Sequence, residues 1–79
     1  MKRLVGRHYV EKLINEQMNE FAIENRSFRV LREANIRENI LDNVIDMVLD
    51  DYRGENINQN DLFNFANKIY NTLLIGINE

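Results

Sequence analysis

A chain of 79 residues, 44% hydrophobic and 29% charged, holds enough apolar material for one small core and no room for a second. It contains no cysteine, which excludes disulfide staples and thiolate metal sites, so tight packing or association with a partner has to supply the stability. The formal net charge of -3 hides a division: residues 1 to 37 carry eight Lys and Arg against five Glu, whereas residues 38 to 79 carry two against eight acids. Such asymmetry points to a protein or nucleic-acid partner for the basic part, or to basic and acidic helices lying against each other or against a second copy.

No apolar run reaches the roughly 18 to 20 residues of a membrane span, and the first residues, MKRLVGRHYVEK, lack the apolar stretch of a signal peptide. The expectation is therefore a cytoplasmic protein with no membrane contact. Asparagine and isoleucine are abundant, at 13 and 9 residues, the bias of an AT-rich coding sequence such as that of a low-GC bacterium or a phage. A phage origin would place the protein in the host cytoplasm or the virion. Arginine nevertheless outnumbers lysine by 7 to 3, and a planar guanidinium suits bidentate pairing with carboxylate or phosphate better than an ammonium does.

Residues 1 to 6 read as a loose lead-in, because Gly6 is unfavourable inside a helix by about 1 kcal/mol relative to Ala. From Arg7 onward Val10, Leu13, Ile14, Met18, Phe21 and Ala22 recur at helical spacing, opposite Glu11, Lys12, Asn15, Glu16 and Asn19. Gln17 and Glu24 intrude at the edge of this stripe, which therefore reads as partly exposed or as an interface. The stripe continues in phase through Phe28 and Leu31, with neither proline nor glycine to break it. The reading is one long helix over about 7–33, with a kink near Ser27, a possible new cap, as the alternative that makes four helices rather than three.

The apolar face then changes side. An unbroken helix would place the stripe of Val10, Ile14, Phe21 and Phe28 about 170° from that of Ile40, Val44, Val48 and Tyr52, so the chain has to turn between them. Asn35 followed by Glu38 resembles a capping box and marks the boundary. Over about 36–53, Ile36, Ile40, Leu41, Val44, Ile45, Met47, Val48, Leu49 and Tyr52 cover about 220° of the wheel, too much for one neighbour. This helix belongs in the middle of the domain or of an oligomer. Its polar arc carries Glu38, Asp42, Asp46 and Asp50 at spacing four, an acidic stripe that repels itself by a few tenths of a kcal/mol per pair. The stripe is a solvated face, or it docks a basic surface, for which Arg26, Arg29, Arg32 and Arg37 of this chain or of another copy are candidates.

Gly54 ends that helix, and the loop after it fails the calcium-loop pattern, since Leu49 and Arg53 fall at ligand positions. Asn58 or Asn60 caps a last helix over about 59–75, with Leu62, Phe63, Phe65, Ala66, Ile69, Tyr70, Leu73 and Leu74 on one half. Its aromatics are not interleaved with basic residues and read as core rather than as a base-stacking platform. Residues 77 to 79 read as frayed.

The lone histidine, His8, and two non-aromatic hydroxyls, Ser27 and Thr72, form no catalytic constellation, and no phosphate loop or metal spacing is present. The sequence thus implies an all-α three-helix bundle without cofactor and without enzymatic activity. Its expected role is protein interaction or assembly, as a small structural or accessory factor that self-associates. The rival is a nucleic-acid-binding or transcription-modulating protein that uses Lys2, Arg3, Arg7 and the arginines from Arg26 to Arg37 on phosphates, against which the overall acidic charge argues.

Overall fold

A computed structural model describes residues 5–76, in which three α-helices and one 3-10 turn follow each other: α1 over Arg7–Asn25, the 3-10 turn over Arg29–Arg32, α2 over Ala34–Asp51 and α3 over Gln59–Ile75. The readings that fall on residues 1 to 4 and 77 to 79 lie outside the described residues.

The apolar stripes meet in one core. Val10, Ile14, Met18 and Ala22, each four residues apart, form the buried ridge of α1. They pack against Ile40, Leu41, Val44 and Val48 of α2 and Leu62, Ala66, Ile69 and Tyr70 of α3, with Leu31 and Tyr52 completing the cluster. Every helix packs against both others, so α2 has the two neighbours that its wide apolar face requires. The chain reverses at each connection. Gln17 Oε1 accepts a 3.1 Å hydrogen bond from Asn43 Nδ2, and the rings of Tyr9 and Tyr52 lie 5.8 Å apart. These contacts set α1 and α2 antiparallel. The polar intrusion of Gln17 into the stripe thereby finds its reason, as a half-buried acceptor between two helices.

The single helix over 7–33 is not formed. α1 stops at Asn25, and Arg26 takes the left-handed conformation at φ 55°, ψ 32°. Ser27 N–H returns to Ala22 C=O at 3.0 Å and Arg26 N–H to Ile23 C=O at 3.2 Å, the paired 6→1 and 5→2 bonds of a Schellman ending. Asn25 Nδ2 also donates to Phe21 C=O at 2.8 Å, satisfying another terminal carbonyl. Ser27 Oγ then accepts from Arg29 N–H at 3.1 Å and opens the 3-10 turn.

The second boundary also shifts. Glu33, extended at φ -74°, ψ 134°, stands at the N-cap of α2, and its carbonyl takes the first helical bond from Arg37 N–H at 3.0 Å. Asn35 therefore lies inside the first turn rather than capping it. α2 ends at Asp51, with Tyr52 as its C-cap. Gly54, at φ 91°, serves a separate turn closed by Glu55 N–H on Tyr52 C=O at 2.9 Å, where a positive φ favours glycine. α3 starts as the sequence suggests, with Asn58 Oδ1 accepting from Asp61 N–H at 3.1 Å.

One buried polar contact ties the irregular connection to the bundle. The hydroxyl of Tyr70, a fully buried residue, donates to Leu31 C=O at 2.6 Å. Burial pushes its pKa up to about 12, partly opposed by the nearby Arg37 cation.

Candidate functional site

Two surfaces draw on the charged residues singled out in the sequence. The first lies along α2 and α3. Asp42, Ile45, Asp46 and Leu49 fall at helical spacing on one face of α2, and with Gln59, Asn60 and Phe63 of α3 they line an open groove of about 440 Å³. Ile45, Leu49 and Phe63 are only half-buried, and Asp42 and Asp46 are exposed beside them. The groove thus offers apolar side chains with two carboxylates and two amides, a lining suited to a ligand that is both apolar and cationic.

The acidic stripe is brought together as its spacing implies: Glu38, Asp42, Asp46 and Asp50 are all exposed. Asp50 is held by Arg53 at 2.5 Å, whereas Glu38, Asp42 and Asp46 make no ion pair among the described residues. Acids at the last turn of α2 face the negative end of its dipole. Arg53 offsets this for Asp50, and the Tyr9 hydroxyl, which hydrogen-bonds Asp51, offsets it for the neighbouring carboxylate.

The second surface is the end of the bundle where α1 stops, the 3-10 turn crosses and α3 terminates. Arg26 is exposed at the left-handed position. Arg29 and Arg32, three residues apart in a 3-10 turn, share one side of it and are also exposed. Arg37, in the first turn of α2, is half-buried, and its cation partly opposes the rise in the Tyr70 pKa. Apolar groups accompany the arginines. Ile23 is 76% exposed, Phe28 45% and Ile75 85%, and these are the exposed large hydrophobics of the described residues. All three lie at this end, because α3 runs parallel to α1 and brings Tyr70 to Leu31.

The groove was not visible as such in the sequence. Its signal was the 220° apolar arc of α2, of which Ile45 and Leu49 are the part that α1 and α3 leave half-covered. The exposed trio carried a weaker signal, since Phe28 sits in phase with the buried stripe and only the break at Arg26 takes it out. Among the described residues no group of three or more His, Asp or Glu is arranged to hold a metal ion, and no helix is long and apolar enough to cross a membrane.

No protein-family model, no curated protein and no solved structure matches this chain.

Proposed function

We propose that this chain is a non-enzymatic helical interaction protein whose role is assembly, including association with itself. The observation that carries this reading is the concentration of Ile23, Phe28 and Ile75, all exposed, at the one end of the bundle that also bears Arg26, Arg29 and Arg32. Scattered single apolar residues need no explanation on a small protein, but apolar groups gathered at one end and rimmed by charge are the composition of a contact surface. Arginine among aromatic and aliphatic groups is further the residue mix from which interface anchors are drawn.

A phosphate-binding role draws on the same arginines. The apolar trio adds nothing to contacts with a phosphate backbone, however, and an overall charge of -3 opposes them. Sedimentation equilibrium over rising concentration, paired with titration of random duplex DNA at low and moderate salt, separates the two. Mass that rises with protein concentration and no salt-sensitive DNA binding is the expected result. A strict monomer at the highest soluble concentration, or tight salt-sensitive binding to DNA, defeats the assembly reading.

A further inference from the structure

We infer that two copies of this chain assemble by exchanging α1: the reversal at Arg26 and Ser27 straightens, and α1 of each copy packs on α2 and α3 of the other. This deepens the assembly reading above and rests on it. The hinge is strained in the closed chain. Arg26 stands in the left-handed region at φ 55°, ψ 32°, a conformation that a side chain disfavours, and short connections under strain invite exchange of the element they join. Neither proline nor glycine occurs between Arg7 and Arg53, so no residue type there forbids a continuous helix. Phe28 already holds right-handed helical angles, φ -81° and ψ -13°, and the 3-10 turn follows it directly. The change of conformation is thereby confined to Arg26 and Ser27.

Straightening loses little that the closed chain has. Ser27 N–H and Arg26 N–H now bond Ala22 C=O and Ile23 C=O respectively; in a continuous helix the same two carbonyls are satisfied with the donors interchanged. The 3-10 turn stays on its own α2 and α3, held by the Tyr70 hydroxyl on Leu31 C=O. The ridge of Val10, Ile14, Met18 and Ala22 buries against the same α2 and α3 residues as before, in the other copy. Exchange also adds contacts. Phe28 comes eighteen residues after Val10, about five turns of helix, so the straight form returns it to the face of that ridge, whereas the closed chain leaves it 45% exposed. Ile23, 76% exposed, flanks the hinge on its other side, and two hinges crossing side by side cover apolar surface that the monomer leaves in water. Because the exchange is reciprocal, assembly closes at two copies.

Gln17 and Asn43 report the exchange, because they hydrogen-bond between α1 and α2 and the chain has no cysteine of its own. Gln17→Cys with Asn43→Cys is unfolded in urea, refolded at rising concentration, separated by gel filtration and treated with a short bismaleimide. The dimer fraction is expected to give a covalent dimer on a denaturing gel, and the monomer fraction a cross-link within one chain. The hinge is tested in chains without these cysteines, their folding checked by far-UV circular dichroism. Arg26→Gly is expected to weaken dimerisation by about tenfold or more, because glycine relieves the strain of the closed chain. Ser27→Ala is expected to strengthen it, since the closed chain loses the bond from Arg29 N–H to Ser27 Oγ and alanine favours the helix. A dimer whose cross-links stay within single chains, or dimerisation that Arg26→Gly leaves unchanged, overturns the exchange and leaves the assembly reading standing. A wild type that is monomeric at every refolding concentration overturns both.

Discussion

Replacing Tyr70 by Phe removes one oxygen from the centre of the protein and nothing else. The ring is fully buried, so its packing is kept, but the 2.6 Å bond from the hydroxyl to Leu31 C=O is lost. That carbonyl belongs to the 3-10 turn, and Leu31 is itself fully buried, so its desolvation is left uncompensated, which costs about 1–3 kcal/mol. The side chain also predicts how the cost varies with pH. The folded state holds the Tyr70 pKa near 12, above its ordinary value of 10.0. A group whose folded pKa is raised contributes stability that is complete below the unfolded pKa and is lost as pH rises through the folded one, so this contribution fades between about pH 10 and pH 12. At its full extent the alkaline loss is on the order of 2–3 kcal/mol. Urea unfolding of wild type and Tyr70→Phe followed at 222 nm, repeated from pH 8 to pH 11, should show the variant less stable at neutral pH and the gap closing as pH rises. Equal stability at pH 8, or a gap that widens toward pH 11, would refute the assignment of the hydroxyl as a buried donor.

Arg26→Gly should raise stability by about 0.5–1 kcal/mol in urea unfolding, since glycine escapes the left-handed penalty that a side chain bears at φ 55°; a loss would mean that the Arg26 side chain contributes more than its backbone costs. Asn58→Ala should lower it by about 1 kcal/mol through loss of the bond to Asp61 N–H, with α3 amides near the cap losing protection first in hydrogen exchange. Asp46→Lys turns the spacing-four repulsions with Asp42 and Asp50 into attractions and should stabilise the monomer by a few tenths of a kcal/mol up to about 1, measured as a rise in unfolding midpoint; a lower midpoint would show that Asp46 serves the fold.

The three-helix architecture and the core were legible because both follow from periodicity. Val10, Ile14, Met18 and Ala22 can only face one way, and α2 announced two neighbours by the width of its apolar face. The ends of the helices were less legible, for a local reason. A Schellman ending is usually signalled by glycine, and here Arg26 occupies the left-handed position with no marker in residue type. The apolar phase then misled, since Leu31 is buried after the break as it would have been without one, now through the 3-10 turn and the Tyr70 hydroxyl. Asn35 and Glu38 offered a capping pair, but the 3-10 turn closes with Glu33 N–H on Val30 C=O at 3.0 Å, and α2 begins where that turn ends. Residue types alone do not encode this hand-over. Of the charged candidates, the acidic stripe was fully written in spacing four. The placement of Arg26, Arg29 and Arg32 with Ile23, Phe28 and Ile75 depended on the break, and on α3 returning parallel to α1.

The acidic stripe and the left-handed arginine bear on one question from opposite sides. Each costs the isolated monomer stability, the stripe by repulsion along α2 and Arg26 by backbone strain, and each is removable by one substitution at an exposed position. A chain of 79 residues with neither disulfide nor cysteine has little stability in reserve. Local conflicts that persist in so small a protein concentrate where function sets the residue rather than the fold. Here the two conflicts fall on exposed surfaces: Asp42 and Asp46 beside the groove, and Arg26 at the end that bears Ile23 and Phe28. A substitution that relieves either one should therefore stabilise the monomer and weaken the assembly together, and that pairing of opposite effects at both surfaces distinguishes an interface from a merely imperfect helix.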